Sequence, residues 1–316
     1  MDKQLISIVL PIYNEEESIE EMIKTVFSAL KNIDYQIELL CINDGSKDNT
    51  LFLLDKMAKD DPRIRIINLA RNFGHQLAVT AGVDQSKGDC AIVIDADLQD
   101  PPELIISMIE KWKEGYQVVY AKRKVRKGEP LLRLWAIKIF YRVLKRVTNV
   151  DIPLDTGDFR LMDKQVIENL KNMPERYRFI RGMVSWVGFN QIGIEYDRNK
   201  RYRGKSKYPF TKLLSLALNG IVSFSFAPLR IATFLGFIVS IVSFIYALYI
   251  LYQKFINDLA LQGWASLMIV ILFLGGLQLL TLGIIGEYVG RTNIEVKKRP
   301  IYIIKEIINY EQSNIE

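Results

Sequence analysis

A chain of 316 residues with 42 Lys+Arg against 36 Asp+Glu carries a formal charge of +6. At roughly 150 residues per domain it has room for about two units, and 49% hydrophobic residues exclude a disordered chain, which would pair low hydrophobicity with high net charge. Two cysteines, Cys41 and Cys90, exclude a disulfide scaffold or a cysteine-built zinc site, and one histidine, His75, leaves almost no material for a His-ligated metal or a Ser-His-Asp triad.

Residues 5–12 (LISIVLPI) form a short β-rich run that ends at a proline. From Glu15 to Leu30, apolar Ile19, Ile23, Val26, Phe27 and Leu30 fall at helical spacing. A second strand covers 37–42, a helix 49–60, a third strand 63–68, and a helix 76–85. A fourth strand covers 91–94, a helix 103–113 and a fifth strand 117–121. Strands and helices alternating at this pitch predict a mostly parallel α/β sheet, and strands with few polar residues predict helices on both faces. Both cysteines fall in apolar runs and read as small core residues of a reducing compartment.

In such sheets ligands bind beyond the carboxyl ends of the strands. The polar clusters fall there: Tyr13-Asn14-Glu15, Asn43-Asp44-Gly45-Ser46, Arg71-Asn72 and Asp95-Ala96-Asp97. One cluster would be an ordinary turn; four at one rim predict a site. Asp95 and Asp97, at i and i+2 of an extended run, share a face. Two carboxylates at a strand end suit Mg²⁺ or Mn²⁺, which is typically held by one or two carboxylates plus substrate phosphates. Neither G-x-x-x-x-G-K-[ST] nor G-x-G-x-x-G occurs, which argues against an ATPase or a Rossmann dehydrogenase. His75, after Gly74, reads as a helix-start residue near the rim, with substrate contact as the alternative.

Lys122 to Arg146 holds ten Lys+Arg and one acid, Glu129. Leu131, Leu134, Trp135, Ile137, Phe140, Tyr141 and Leu144 interleave with these charges. A basic amphipathic helix with Trp predicts a membrane-surface element. Arg123 and Arg133 are candidates for gripping a phosphate, because the guanidinium fork binds phosphate bidentately. A plain solvated basic face is the alternative for each. Nucleic acid is a poor partner for the same patch, because two membrane spans follow.

Ile231 to Gln253 is 23 residues without a charge and Leu259 to Gly286 is 28 more. At 1.5 Å per residue the first covers about 34 Å, enough for a bilayer core of about 30 Å. The alternative is a pair of buried core helices. Basic residues flank the pair on both outer sides, so the positive-inside rule predicts a multi-pass protein of the plasma membrane with both termini cytoplasmic. No cleavable signal peptide is expected at the N-terminus. The expected organisation is a cytoplasmic domain over 1–208, an interfacial amphipathic helix over 209–228 and a two-helix hairpin over 229–290. Its spans are near 231–253 and 264–286, and a cytoplasmic tail covers 291–316. A third span through 210–226 is the alternative. Glu287 is expected to pair with Arg291 at i+4.

PIYNEEESI, INDGSKDNT, LARNFGHQLAVTAGVDQSKGD and VIDADLQDPPE stand in order at the spacings of a family 2 glycosyltransferase with the GT-A fold. DTGDFRLMD, RYRGKSKYP, the hairpin and LTLGIIGEYVGR narrow the resemblance to polyprenyl-phosphate glycosyltransferases, the bactoprenol glucosyltransferases and dolichyl-phosphate mannose synthases. The resemblance covers nearly the whole chain. It implies that Pro11, Tyr13 and Glu15 line the nucleotide base and ribose, that Asp44 hydrogen-bonds the base, and that Asp95 supports the nucleotide. Arg71, at the same rim, joins these nucleotide-binding candidates. It implies Asp97 and Gln99 at the metal with Asp95, and Asp158 facing sugar or acceptor in the position of a base. Arg201, Ser206 and Lys207 lie on a loop that closes over the phosphates in relatives. Arg203 and Lys205 replace residues that are often small or acidic in the glucosyltransferase branch.

The implied activity is inverting transfer of one sugar, glucose from UDP-glucose first, to polyprenyl (undecaprenyl) phosphate at the cytoplasmic face. GDP-mannose or a UDP-aminosugar are alternative donors. A catalytically silent sugar-nucleotide sensor or scaffold is the alternative of another class. Relatives imply a homo-oligomer such as a tetramer. The acceptor is a phosphate monoester, already largely ionised at neutral pH (pKa₂ about 6). A general base is therefore less needed than in transfer to a hydroxyl, and loss of the metal ligand is expected to cost more than loss of Asp158.

Overall fold

A computed structural model describes residues 3–124, 153, 156–197, 226–256 and 263–309. These fall into two compact units, one holding the sheet and the chain from Pro300 onward, the other holding two long helices.

The first unit opens with β1 (Leu5–Ile12), α1 (Ile19–Ala29), β2 (Gln36–Asn43), α2 (Thr50–Asp60), β3 (Ile64–Leu69), α3 (His75–Gln85) and β4 (Cys90–Val93). It continues with α4 (Leu104–Lys113), β5 (Val118–Arg123), β6 (Thr156–Asp163), α5 (Lys164–Asn172), α6 (Ile180–Val187) and β7 (Gln191–Tyr196). Each of the five expected strands and four expected helices is present. β6 and β7, which the sequence pattern did not single out, complete this side of the sheet. The strand order is β7-β5-β6-β4-β1-β2-β3-β8, where β8 is Ile304–Ile308. Four pairings are parallel (β1 with β2, β1 with β4, β2 with β3, β5 with β7) and three are antiparallel. β1 lies between β2 and β4, so the chain departs to opposite sides of it and leaves a crevice at the carboxyl rim.

The sheet is dry because alternate residues of β1 feed opposite faces. Ile6, Ile8, Leu10 and Ile12 join Ile19, Met22, Ile23 and Val26 of α1 in one buried cluster. Each such side chain contributes about 1.5–3 kcal/mol by leaving water. On the other face α3 presses close. A Cβ on Gly82 would stand 2.2 Å from Val9 Cγ1 and 3.1 Å from Ile42 Cγ1. Only glycine admits that approach, and the approach sets the first turn of α3, with His75 and Gln76, against the rim. Cys41 and Cys90 are free thiols buried in strands, and burial pushes both thiols far above their ordinary range.

After the helical unit the chain comes back to the sheet. β8 pairs antiparallel with the edge strand β3, from Ile66 opposite Ile308 to Leu69 opposite Ile304. Tyr302 donates to Asp84 Oδ2 at 2.9 Å and Asn309 Nδ2 to the Ile64 carbonyl at 3.0 Å. The stretch expected only as a tail thus carries a strand of the sheet.

The second unit contains α7 (Ala227–Ile256) and α8 (Trp264–Val296). The expected spans lie inside them. Their apolar windows, Ala227–Ile250 and Leu267–Val296, have mean hydropathies of 2.3 and 2.5, and neither is buried by the protein. Buried core helices would be covered; these are not. Twenty-four residues reach about 36 Å, longer than the hydrocarbon core of about 30 Å. The exposed apolar helices associate the chain with a membrane. Arg291 Nε donates to Glu287 Oε1 at 2.9 Å, the expected i+4 pair. Most of the basic segment 122–146 and of the stretch 210–226 lies outside the described residues.

Candidate active site

The rim is one cross-tied object. Asn14, at φ +52, donates its N–H to Ser46 Oγ at 3.0 Å and accepts from Lys47 N at 2.8 Å. Glu15 N–H donates to Thr50 Oγ1 at 2.9 Å. These bonds fasten the loop after β1 to the loop after β2. Asp44 then fastens the loop after β3, accepting from the backbone N–H groups of Phe73 and Gly74 at 2.7 and 2.9 Å. Burial pushes its carboxyl up, against the pull of those two N–H groups. A carboxylate offers about four lone-pair sites, so Asp44 keeps acceptor capacity for a base. Arg71 is exposed and lies over the Phe73 ring at 4.2 Å. Pro11 is buried in β1, one residue from its end, and Tyr13 is half-buried just beyond.

Asp95 follows β4. Its Oδ1 is buried and has no hydrogen-bond partner among the described residues; the His75 Nε2 is 3.6 Å away. Burial pushes this carboxyl up to about 6, opposed by the His75 charge and reinforced by Asp100, Asp158 and Asp97. Leu98 sits at φ +57, a left-handed conformation that costs a bulky residue about 1–3 kcal/mol. Its side chain packs on the core, and the turn returns the Gln99 N–H to Asp97 Oδ1 at 3.2 Å. The strain is held between Asp97 and Gln99.

Asp158 on β6 is buried and accepts from several donors. Arg181 gives Nε to Oδ1 at 2.8 Å and Nη2 to Oδ2 at 3.2 Å. His75 Nε2 lies 2.9 Å and Gln76 Nε2 3.2 Å from Oδ2. Burial alone would raise this carboxyl; the Arg181 charge and the His75 and Arg181 hydrogen bonds hold it well below the usual carboxylate range. Burial disfavours the His75 imidazolium, but the Asp158 hydrogen bond and the Asp95 and Asp158 charges outweigh it and lift His75 to about 9. Asp158 is therefore an ionised anchor and a weak base.

Arg123, at the end of β5, donates Nε to the Tyr196 hydroxyl at 3.3 Å, and that hydroxyl donates to Asp100. A Cβ on Gly157 would be 3.0 Å from Arg123 Nη2, so the guanidinium crosses the backbone next to Asp158.

Pro11, Tyr13, Glu15, Asp44, Arg71, Asp95, Asp97, Gln99 and Asp158 thus gather at one rim, with Arg123 beside Gly157. Arg133, Arg201, Ser206 and Lys207 lie outside the described residues, as do Arg203 and Lys205. The sequence pattern assigns Gln76 and Arg181 no role and reads His75 first as a helix start. His75 does open α3, and its ring also faces the acidic site. Arg181 had no local signal, because its partner lies 23 residues away on another element.

The donor set fits a divalent cation of a particular kind. Among the described residues no three or more His, Cys, Asp or Glu side chains converge as a metal cage. One or two carboxylates with substrate phosphates is the way Mg²⁺ is usually held, and the Asp95 Oδ1 that makes no hydrogen bond to a described residue, beside Asp97, matches that.

Known proteins carry the same framework. Residues 7–171 match Glycosyl transferase family 2, and residues 227–292 match the GtrB C-terminal hairpin. More than half of the chain is covered by the first match alone, and the chain belongs to glycosyl transferase family 2. An uncharacterized glycosyltransferase of Bacillus subtilis, YkcC, is 48% identical over 98% of this chain and 96% of its own. A prophage bactoprenol glucosyl transferase homolog of Escherichia coli is 46% identical over 96% and 99%. An SfII prophage-derived bactoprenol glucosyl transferase of Shigella flexneri is 44% identical over 95% and 97%. The sheet with its helices is GT-A-like, and the two apolar helices form the hairpin that the resemblance implied.

Proposed function

We propose that this transferase moves one sugar, glucose from UDP-glucose, onto polyprenyl phosphate at the cytoplasmic face of the plasma membrane. The observation that carries the reading is the buried Asp95 Oδ1, without a hydrogen-bond partner among the described residues, beside Asp97 at the rim of the sheet, in a chain that also has an exposed apolar hairpin. Relatives named bactoprenol glucosyl transferase, at 44–46% identity, support both lipid and sugar.

Pro11, Tyr13 and Glu15 line base and ribose, Asp44 accepts from the base, and Arg71 flanks the nucleotide. Asp95, Asp97 and Gln99 would hold Mg²⁺ or Mn²⁺, which when bound neutralises the diphosphate leaving group. Arg123 and Arg133 grip the acceptor phosphate, and Arg201, Ser206 and Lys207 close over the phosphates. The acceptor phosphate oxygen attacks the anomeric carbon, and the bond from that carbon to the diphosphate oxygen breaks with inversion. The leaving group takes the electron pair, and no proton has to be removed from the nucleophile. An Asp158 engaged by Arg181, His75 and Gln76 suits a reaction that does not need a base. Positioning and charge neutralisation carry the rate.

Parity supports the orientation. The chain leaves the sheet at β7 and rejoins it at β8 beside β3. Departure and return are on one side of any bilayer that α7 and α8 cross, which requires an even number of crossings. Basic residues on that side support a cytoplasmic location for it. A homo-oligomer, such as a tetramer, is part of the same proposal.

The test is transfer of radiolabel into the organic phase. Purified protein in detergent receives undecaprenyl phosphate, Mg²⁺ or Mn²⁺, and separately UDP-glucose, UDP-GlcNAc and GDP-mannose. Label from UDP-glucose alone, lost with EDTA, is expected. Label from another donor replaces the sugar assignment. Nucleotide binding without label from any donor points to a sensor.

A further inference from the structure

α6 begins at the site, and it does so through two consecutive residues. Ile180 donates its backbone N–H to Gln76 Oε1 at 3.1 Å. Arg181 lays its guanidinium against Asp158, Nε to Oδ1 at 2.8 Å and Nη2 to Oδ2 at 3.2 Å. Gln76 closes the loop with its own amide, which donates to the same Oδ2 at 3.2 Å. β6, the first turn of α3 and the first turn of α6 therefore meet on one carboxylate. That carboxylate in turn holds the His75 ring, 2.9 Å away, and the same ring nitrogen is 3.6 Å from the Oδ1 of Asp95, which has no hydrogen-bond partner among the described residues.

We propose that Arg181 is a positioning residue of the transfer reaction: its fork, seated by the Gln76–Ile180 bond, fixes Asp158, and Asp158 fixes the His75 imidazole beside Asp95. The inference rests on the reading of this rim as the donor site. A planar fork with two parallel donors sets both the place and the tilt of a carboxylate, which a lysine ammonium cannot do. Oδ2 has three donors to share, so loss of the guanidinium lets the carboxylate rotate toward Gln76 and His75. The ring that faces Asp95 then moves with it. Displacement of a group at a reacting centre by about 1 Å can cost about 10²-fold in rate.

His75 is the only histidine in the chain, so selective ¹⁵N-histidine labelling gives one imidazole. The experiment uses the full chain in detergent and follows two readouts, lipid-linked product formation and the His75 ring ¹⁵N resonances. Arg181→Gln is expected to lower kcat by about 10²-fold, to leave the donor KM within about threefold, and to shift the His75 resonances. Arg181→Lys is expected to recover part of the charge and little of the rate. Gln76→Leu keeps every charge and cuts the Ile180 link; it is expected to move the same resonances and lower kcat, and it stands in should Arg181→Gln not fold. Unchanged kcat in Arg181→Gln overturns the proposal. So does a reduced kcat with unmoved His75 resonances, or a rise confined to donor KM, which would make Arg181 a binding group. If the wild-type chain transfers no sugar, the donor-site reading fails separately, and unmoved His75 resonances in Arg181→Gln still reject the positioning chain.

Discussion

The α-carbon of Gly45 lies against the backbone of Arg71: a Cβ there would sit 2.6 Å from the Arg71 carbonyl carbon and 2.6 Å from Asn72 N. Gly45 also holds φ +64, where any other residue is strained. The neighbouring atoms are backbone, so they cannot swing aside. Gly45→Ala must push the loop after β3 away from the loop after β2, and Asp44 loses its grip on Phe73 and Gly74. The expected outcome is a loss of about 1–3 kcal/mol in stability and at least a tenfold weaker donor affinity. Thermal unfolding and calorimetric titration with UDP measure the two. Wild-type UDP affinity would show that the contact between these loops does not shape the nucleotide pocket.

Asp97→Asn and Asp158→Asn should separate chemistry from architecture. Asp97 is half-exposed at the turn, and its loss removes a candidate metal ligand with little effect on packing. Asp158 is buried against Arg181 and His75. Removing one partner of a buried ion pair leaves the other uncompensated, at about 3–5 kcal/mol. Asp97→Asn is expected to lose the larger share of product formation at an unchanged unfolding midpoint. Asp158→Asn is expected to lower the midpoint by several degrees. Equal midpoints for the two variants would remove Asp158 from its role as an anchor.

The periodic part of this molecule was legible. The five strand runs and four helices of the first 123 residues follow from alternation and from 3.6-residue spacing, and the rim residues follow from where those strands stop. Asp95 and Asp97 could be read because they are adjacent to a strand end. The long-range part could not. Arg181 reaches Asp158, and Gln76 reaches Ile180, only through the closure of the sheet, and no local pattern in RFIRGM encodes a partner on β6. β8 was hidden for a related reason: IKEII is a five-residue run whose pairing with β3 spans more than 230 residues of sequence. A strand that short is fixed by the edge it finds, not by its own propensity.

That strand makes a second prediction about the rim. Asn68 on β3 donates to Glu306 of β8 at 2.7 Å and accepts from Asn43 at 2.8 Å; Asn43 accepts from Ser46 N at 3.2 Å. The chain of bonds ends at the Ser46 hydroxyl that holds Asn14. Ending the chain after Ile303 should expose the β3 edge and promote aggregation, since an open edge pairs with other chains. Glu306→Ala removes one part-buried bond, with a net effect of about 0.5–1.5 kcal/mol, and is expected to weaken UDP binding about 2–10-fold without aggregation. Size-exclusion profiles and UDP titration check the two variants. A monodisperse truncated protein would show that β8 does not protect the edge.

His75 gives the fold a pH dependence whose sign can be worked out. Its folded pKa, about 9, is above the ordinary 6.5. The folded state therefore binds the proton more tightly than the unfolded chain, and its stabilisation is complete below about pH 6.5 and lost as pH rises through about 9. Asp158 has the opposite sign: held well below the ordinary 3.8, it stabilises above that value and the benefit is lost in acid. Asp95, raised to about 6, adds a loss of the same sign that is nearly complete by about pH 7. No second histidine exists to share that window. Unfolding midpoints measured in EDTA from pH 7 to 8, above the Asp95 titration and below that of the unfolded Cys41 and Cys90 thiols, should fall with rising pH in the wild-type chain. In His75→Gln the slope over the same range should be nearly flat, while the acid limb set by Asp158 remains. An equal alkaline slope in the variant would assign the proton to another group and separate His75 from the charge of Asp158.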